Sequence, residues 1–182
     1  MRLSCIAALS ALGGLAAASS QERTRAVDPC AIASADQLRF VVASGIGRRL
    51  SASYASGDEH VTLAHADVAA IDCPAPRVQV RADVRYERGT ATRTSGGLRF
   101  ASPLAAVVTY QGAPNAPIRA DDVRSASACL TAVSVTALEV RNAPSWLDDA
   151  WIKAWLDRLV PNVVCFDVTS LVYVHLKSGH TM

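Results

Sequence analysis

The sequence predicts an α+β fold in which a curved antiparallel sheet packs on one or two amphipathic helices and is stabilised by disulfides. Residues 77–87 alternate strictly between polar and apolar side chains, which is typical of a strand with one buried and one solvated face. Residues 147–159 instead repeat apolar side chains at helical spacing. An even number of cysteines remains after the apolar amino-terminal segment.

Length and composition agree with one globular domain, expected at residues 31–182. The chain has 182 residues, 51% of them hydrophobic and 19% charged, which is enough to bury a core and too apolar for a disordered chain. Its formal net charge is only +2. We therefore expect no nucleic-acid partner, because such proteins carry a pronounced basic surface.

The amino-terminal segment, residues 1–20, is expected to be a signal peptide. Arg2 precedes an apolar and small-residue run over residues 3–18. This run is shorter than the ~20 residues of a membrane-spanning helix and fits the apolar region of a secretory signal. Cleavage before Ser19 or Gln21 would remove Cys5 and leave no transmembrane segment; an uncleaved anchor is the alternative. The mature protein is then periplasmic or secreted, beginning with a flexible segment at residues 21–30.

Four cysteines remain in the mature chain: Cys30, Cys73, Cys129 and Cys165. Their wide spacing does not fit a zinc site, so no metal is predicted. In an oxidising compartment they are expected to form two disulfides, for which three connectivities are possible. Cys30–Cys73 with Cys129–Cys165 is favoured because shorter loops close more readily.

The first helix of the domain is predicted from a capping box. Ser34 and Gln37 have the required spacing, and apolar residues follow at helical intervals (Leu38, Val41, Val42 and Ile46). Gly45 and Gly47 are expected to end or weaken this helix, and Arg48 and Arg49 would complement its carboxyl end. An extended segment over residues 38–42 is the alternative, because β-branched and aromatic residues also favour strands.

A series of strands should follow a loop at residues 51–59. The clearest is 77–87, and prolines at 74 and 76 separate it from the strand before it. Hydrophobic alternation and turn residues place the predicted strands at 60–71, 77–87, 90–94, 98–110, 117–123 and 129–140. A last strand is predicted at 163–176, because its apolar residues alternate.

Before that last strand, a second capping box predicts a late helix. Ser145 and Asp148 form the box, and Pro161 should end the helix. Its apolar residues make a broad stripe facing the sheet: Leu147, Trp151, Ile152, Trp155, Leu156 and Leu159.

Motifs that would indicate catalysis are missing from the sequence. It contains no G-x-S-x-G, H-E-x-x-H or phosphate-loop pattern, so we expect neither an enzyme nor a cofactor. A Ser–His–Asp site assembled from distant positions is the remote alternative. His60 and His65 are five residues apart and are expected on opposite faces of a strand, where they cannot share a metal ion.

Arg77, Arg81 and Arg85 should lie on one face of their strand. In one interpretation they grip a phosphate or a lipid headgroup. Asp83 and Glu87 alternate with them, and such a mixture is also typical of a solvated sheet face.

Three tryptophans fall within ten residues of the late helix. Trp151 and Trp155 are four apart and should face the sheet, whereas Trp146 is expected to be the most exposed. These rings either belong to the core or line an apolar groove. The residues assigned to such a ligand site are Trp146, Trp151, Trp155, Leu159 and Phe166.

The late helix at 146–160, the segment 171–176 and the glycine-led strand 96–100 carry a resemblance to a known family. In this respect the chain resembles small bacterial periplasmic proteins of unknown function with a tubular lipid-binding (TULIP)-like fold. The resemblance implies a strongly curved sheet wrapped around a helix and a bound lipid.

Two functions therefore remain open. The first is a non-catalytic exported protein that binds a lipid or another small apolar ligand between the sheet and the late helix. The second is a secreted, disulfide-stabilised interaction module with a fully packed core, such as an envelope assembly factor or an inhibitor that binds an envelope protein.

Overall fold

The computed structural model describes residues 21–73 and 75–182, so the predicted signal peptide and Cys5 lie outside the described residues. Four helices and eight strands make up the described chain. The helices are α1 (Pro29–Ile32), α2 (Ala35–Arg49), α3 (Asp149–Val163) and α4 (Thr169–Lys177). The strands are β1 (Glu22–Val27), β2 (Ala52–Ser56), β3 (Glu59–Asp72), β4 (Arg77–Arg88), β5 (Thr92–Gln111), β6 (Val123–Leu130), β7 (Ser134–Val140) and β8 (Cys165–Asp167).

Strand β5 connects the two halves of the sheet. Its first half is hydrogen-bonded between β4 and β7, and its second half between β1 and β6. The order β2-β3-β4-β5-β6-β8 is antiparallel throughout and curls into a half-barrel. The predicted class, an α+β fold with a curved antiparallel sheet stabilised by disulfides, is confirmed.

Strand β4 shows how the sequence determines the two faces of the sheet. Its polar side chains are exposed and its apolar ones buried, in strict alternation. Val78, Val80 and Val84 are 1% exposed or less. One face of the sheet therefore contributes to the core, and the other meets water.

Helix α2 begins at the predicted capping box. The Gln37 backbone N–H donates to Ser34 Oγ at 3.3 Å, and the Ser34 N–H donates to Gln37 Oε1 at 2.9 Å. The extended alternative for residues 38–42 is therefore wrong. The glycines do not end this helix, which continues through Gly45 to Arg49, and Arg48 and Arg49 lie in its last turn as predicted. A Cβ at Gly45 would lie 3.2 Å from the Phe166 ring, so the missing side chain lets this ring lie against α2.

Helix α3 starts later than predicted. Asp148 is its N-cap and accepts a hydrogen bond from the Trp151 N–H at 2.8 Å, whereas Ser145 lies outside the helix. Pro161 does not end it, since α3 continues to Val163. Within the described part of the chain, none of the helices is long and apolar enough to cross a lipid bilayer.

The predicted last strand, residues 163–176, is wrong for most of its length. Only β8 is a strand there, and α4 follows it. From Val168 onward the buried positions are Val168, Val172 and Leu176, a spacing of four that suits a helix rather than a strand. The Asp167 carboxylate accepts a hydrogen bond from the Thr169 N–H at 2.8 Å and so satisfies a free donor at the start of α4.

Two segments that were expected to lack regular structure contain strands. Residues 21–30, predicted to be flexible, contain β1, which pairs with β5 from Glu22 to Val27. Residues 51–59, predicted to be a loop, contain β2, which forms a hairpin with β3. Both strands are short and rich in small or polar residues, so hydrophobic alternation does not mark them.

Three strand boundaries also differ from the prediction. Residues 90–94 and 98–110 belong to the single strand β5, which includes Gly96 and Gly97. Residues 117–123 lead into β6 through a 3₁₀ turn, Ala120–Asp122. The long central strand predicted at 129–140 is two strands, since β6 ends at Leu130 and β7 begins at Ser134.

Both predicted disulfides are present. Cys30–Cys73 joins the amino-terminal region to the residue after β3, and Cys129–Cys165 joins facing positions of β6 and β8. Each disulfide connects segments that are distant in sequence, with separations of 43 and 36 residues. In the chain-entropy model such loops contribute about 4 kcal/mol each.

Candidate functional site

The three tryptophans of the predicted ligand site form one aromatic cluster. The Trp151 ring centroid lies 5.2 Å from that of Trp146 and 5.4 Å from that of Trp155. Tyr54 on β2 and Tyr86 on β4 extend the cluster, with edge contacts to Trp151 and Trp146 at 5.1 and 5.8 Å. The cluster therefore joins α3 and its preceding loop to the sheet.

The rings of this cluster are buried to different degrees. Trp155 is 6% exposed, whereas Trp146 and Trp151 are both half-buried. Edge-to-face contacts of this kind are a favourable packing geometry. Trp146 thus shares its partial exposure with Trp151, which was expected in the core.

The other two predicted site residues are placed differently. Leu159 is half-buried on α3 and packs at the margin of the core. Phe166 is 3% exposed and lies against α2, where the Arg49 guanidinium is 5.9 Å from its ring centroid. The described contacts therefore do not bring Phe166 together with the tryptophans.

The apolar stripe of α3 is occupied by packing against the sheet. Ile152, Leu156 and Val160 have no exposed surface and belong to the same core as Val84 and Leu98 from the buried face of the sheet. The stripe that suggested a groove thus contributes to a packed core.

The exposed side chains of β4 and of the first half of β5 form a second candidate, here called the outer face. Its members project from the side of the sheet opposite the core: Arg77, Gln79, Arg81, Asp83, Arg85, Glu87, Arg93, Ser95, Gly97 and Arg99. Five arginines stand against two carboxylates in this set. Because β4 and β5 are hydrogen-bonded to each other, the sheet fixes the backbone positions from which these side chains project.

Much of the positive charge on the outer face is not neutralised by ion pairs. Arg93 pairs with Glu87 at 2.8 Å, and Arg99 lies 4.0 Å from Glu139 of β7. Arg77, Arg81 and Arg85, by contrast, form no ion pair with another described residue. In addition, Arg81 and Arg99 are direct cross-strand partners, an arrangement in which like charges repel.

Strand β3 places two further carboxylates beside these arginines. Asp67 is opposite Arg81 in the ladder, and Asp72 is opposite Arg77. Asp67 accepts a hydrogen bond from the Val68 N–H at 2.8 Å, and Asp72 accepts one from the Gln79 side chain at 2.9 Å. Both carboxylates are therefore engaged in local hydrogen bonds.

Two neighbouring hollows of the outer face share Arg81 and Arg99 in their lining. The larger of these two, about 530 Å³, also includes Arg77. The smaller, about 250 Å³, is lined by Arg81, Arg99 and His65, together with Asp83, Glu139 and the open position at Gly97. Both hollows therefore present guanidinium groups to solvent, an arrangement suited to binding anions.

His65 reaches the outer face because β3 is irregular. The register of β3 against β4 shifts between Ala64 and Asp67, and His65 has a left-handed backbone with a φ of 51°. The prediction that His60 and His65 lie on opposite faces is therefore wrong: both are exposed on the outer side. The extra residue of a bulge reverses the alternation, and no feature of the local sequence marks it.

His65 is held in place by Asp83. Its Nδ1 lies 2.9 Å from Asp83 Oδ2, and both side chains are more than half exposed. A carboxylate only accepts hydrogen bonds, so Nδ1 is the donor in this contact. Among residues 21–73 and 75–182, no three histidine, cysteine or acidic side chains are grouped closely enough to hold a metal ion.

Known proteins offer no parallel from which a role for this face could be transferred. Comparison of the chain with protein-family models, curated proteins and solved structures finds no match. The resemblance to periplasmic TULIP-like proteins stays a prediction.

Proposed function

We propose that this protein is an exported, non-catalytic binding module that recognises an anionic partner on its outer face. The observation that carries the proposal is the row formed by Arg77, Arg81 and Arg85, which are exposed and form no ion pair within the described chain. Two disulfides support an oxidising compartment outside the cytoplasm.

The spacing of the row suits an extended anionic surface. Successive arginines are four strand residues apart, or about 13 Å. Arginine can bind a carboxylate or a phosphate with two parallel hydrogen bonds, and it stays charged at any physiological pH. Because the strands are fixed in the sheet, binding has to order the arginine side chains and not the backbone that carries them.

A packed core favours an interaction module over an internal carrier. Ile152, Leu156 and Val160 already fill the space between α3 and the sheet. An apolar ligand there would have to displace side chains that have no exposed surface. The alternative, a carrier of an apolar ligand, would use the half-buried Trp146 and Trp151. It would be supported by extra mass in a native mass spectrum from a lipid that co-purifies.

The direct test measures binding to anionic probes while charge is removed from the outer face. The probes are an oligoglutamate peptide and vesicles of phosphatidylcholine with or without phosphatidylglycerol. The triple variant Arg77→Gln/Arg81→Gln/Arg85→Gln is compared with a control of equal charge, Arg39→Gln/Arg48→Gln/Arg119→Gln, whose arginines are exposed elsewhere.

We expect wild-type protein to bind an anionic probe, and added salt to weaken this binding by screening. At about 0.2–1 kcal/mol for each exposed charge contact, the outer-face variant should bind about 3- to 100-fold more weakly. The control should bind nearly as wild type does. If the outer-face variant and the control lost binding affinity equally, net charge alone would explain the loss, which would contradict the proposal.

A further inference from the structure

We infer that the smaller hollow of the outer face is a subsite for a phosphate monoester group, held by His65, Arg81 and Arg99. The inference rests on the proposed function and specifies the chemistry of the ligand. The hollow has a volume of about 250 Å³, which is room for several water-sized groups. All three side chains line it and are exposed.

The imidazole of His65 lines the hollow and is paired at one of its nitrogens. Asp83 accepts a hydrogen bond from Nδ1 at 2.9 Å, which favours the tautomer with the proton on Nδ1. Nε2 has no partner among the described residues. The left-handed backbone at His65, with a φ of 51°, is a conformation that residues other than glycine adopt at a cost, and such strain is common at binding sites.

Arg81 and Arg99 provide the charge of the subsite. They face each other across the β4–β5 ladder, so their repulsion is relieved when an anion lies between them. Gly97, two residues before Arg99 on β5, has open space above its Cα, since a Cβ built there meets nothing within 4 Å. The floor of the hollow is therefore free for a ligand.

The acidic groups around the hollow hold its guanidinium and imidazole groups in place. Asp83 holds His65, and Glu139 lies 4.0 Å from the Arg99 guanidinium. Asp67, which is opposite Arg81 in the ladder, accepts a hydrogen bond from the Val68 N–H. One imidazole nitrogen and two guanidinium groups remain to face an oxyanion.

The hydrogen-bonding groups of His65, Arg81 and Arg99 favour phosphate over other common anions. A carboxylate offers two oxygens, whereas a phosphate monoester offers three, one for each of the three side chains. Below its second pKa, which is near 6, a phosphate monoester also carries a proton that it can donate to an imidazole nitrogen that bears none. Sulfate keeps no such proton and should bind more weakly.

The experiment titrates the oxidised protein with inorganic phosphate and with sulfate, and follows the His65 Nε2 signal and the arginine side-chain signals by NMR. Glycerol 3-phosphate and vesicles containing phosphatidic acid then distinguish a soluble phosphate from a lipid headgroup. Gly97→Val fills the hollow without changing charge. Ser95→Val is its matched control, because Ser95 is exposed two residues earlier on the same face of β5.

We expect phosphate to shift the His65 Nε2 signal and to bind more tightly than sulfate. Losing one exposed charge contact corresponds to about 1.4- to 5-fold in affinity. Arg81→Gln should therefore weaken phosphate binding by about this factor, and Gly97→Val, which fills the hollow, by at least tenfold, while Ser95→Val leaves it unchanged.

Three outcomes separate the two proposals. If phosphate binds and Gly97→Val abolishes the shift of the His65 signal, the subsite is supported. Tighter binding of glycerol 3-phosphate then indicates a soluble phosphate as the ligand, and tighter binding of vesicles with phosphatidic acid indicates a lipid headgroup. If anionic probes bind through Arg77 and Arg85 but Gly97→Val has no effect, the subsite is overturned and the proposed function remains. If no phosphate probe shifts the His65 signal, the subsite is overturned whatever the vesicles show.

Discussion

Gly96 is the position in β5 where the sheet tolerates no side chain. A Cβ built on Gly96 would lie 1.7 Å from the Glu139 carbonyl oxygen and 2.7 Å from the Val140 Cα. Both atoms belong to the backbone of β7, which cannot rotate away as a flexible side chain would. The neighbouring Gly97 is the matched comparison, because a Cβ there meets nothing within 4 Å.

The expected cost of Gly96→Ala follows from these distances. The β7 backbone must retreat by about 1.7 Å to reach ordinary van der Waals distance, which breaks the ladder bonds next to the Gly96–Val140 pair. Two or three lost hydrogen bonds at about 1 kcal/mol each, with some local overpacking, predict a loss of about 3 kcal/mol. Gly97→Ala should instead stabilise the strand by up to about 1 kcal/mol, since alanine restricts the unfolded chain.

Urea unfolding of the two variants measures this difference. With a denaturant slope of about 2 kcal/mol/M, the two midpoints should differ by about 1.5–2 M. Hydrogen exchange should also be faster at the β7 amides in Gly96→Ala, while the α2 amides remain protected. Equal midpoints for the two alanine variants would refute the close approach of β5 and β7 on which the estimate depends.

Three further predictions concern stability. Replacing Cys129 and Cys165 together by alanine should lower the free energy of unfolding by about 4 kcal/mol, measured in urea, because their separation of 36 residues sets the loop closed by the disulfide. Leu156→Ala should cost about 2–5 kcal/mol in the same assay, since this side chain is fully buried. Hydrogen bonds from Thr169 lower the pKa of Asp167, so its stabilisation is present above the ordinary aspartate pKa and is lost as pH falls through the folded-state value. Asp167→Asn should therefore reduce stability at neutral pH and flatten its acid dependence, as urea midpoints at several pH values would show.

The elements that could be predicted from the sequence are those in which a local signal agrees with the tertiary packing. Strand β4 was predicted at residues 77–87 because every second residue is apolar, and those residues form the buried face. Helix α2 was predicted from the capping box of Ser34 and Gln37, and both of its hydrogen bonds form. The disulfide pairing followed from loop closure.

Helix α4 could not be read correctly because two patterns overlap in one segment. Its β-branched residues favour a strand, and apolar residues at 164, 166 and 168 continue the alternation of β8. The buried residues Val168, Val172 and Leu176 have a spacing of four. Packing against the rest of the core and the hydrogen bond at Asp167 stabilise the helix over a strand.

The candidate site was predictable only where it follows a regular strand. Alternation alone placed Arg81 on an exposed face beside Arg77 and Arg85. The prediction that His60 and His65 lie on opposite faces is wrong, because the bulge in β3 inserts one residue and reverses the alternation beyond it. The contribution of Arg99 depends on the β4–β5 register, which is a property of the paired strands.

The two faces of β5 imply that binding and stability can be changed separately. Leu98 points into the core, whereas Gly97 and Arg99 line the hollow on the opposite side. Gly97→Val removes no buried contact and restricts the unfolded chain, so it should weaken phosphate binding at least tenfold while the free energy of unfolding stays equal to that of wild type or rises by up to about 1 kcal/mol. Leu156→Ala should do the reverse, because it removes core packing far from any group that contacts the anion. If Gly97→Val and Leu156→Ala each lowered both stability and phosphate binding, the loss of binding would be explained by partial unfolding. The hollow would then not be a preformed site.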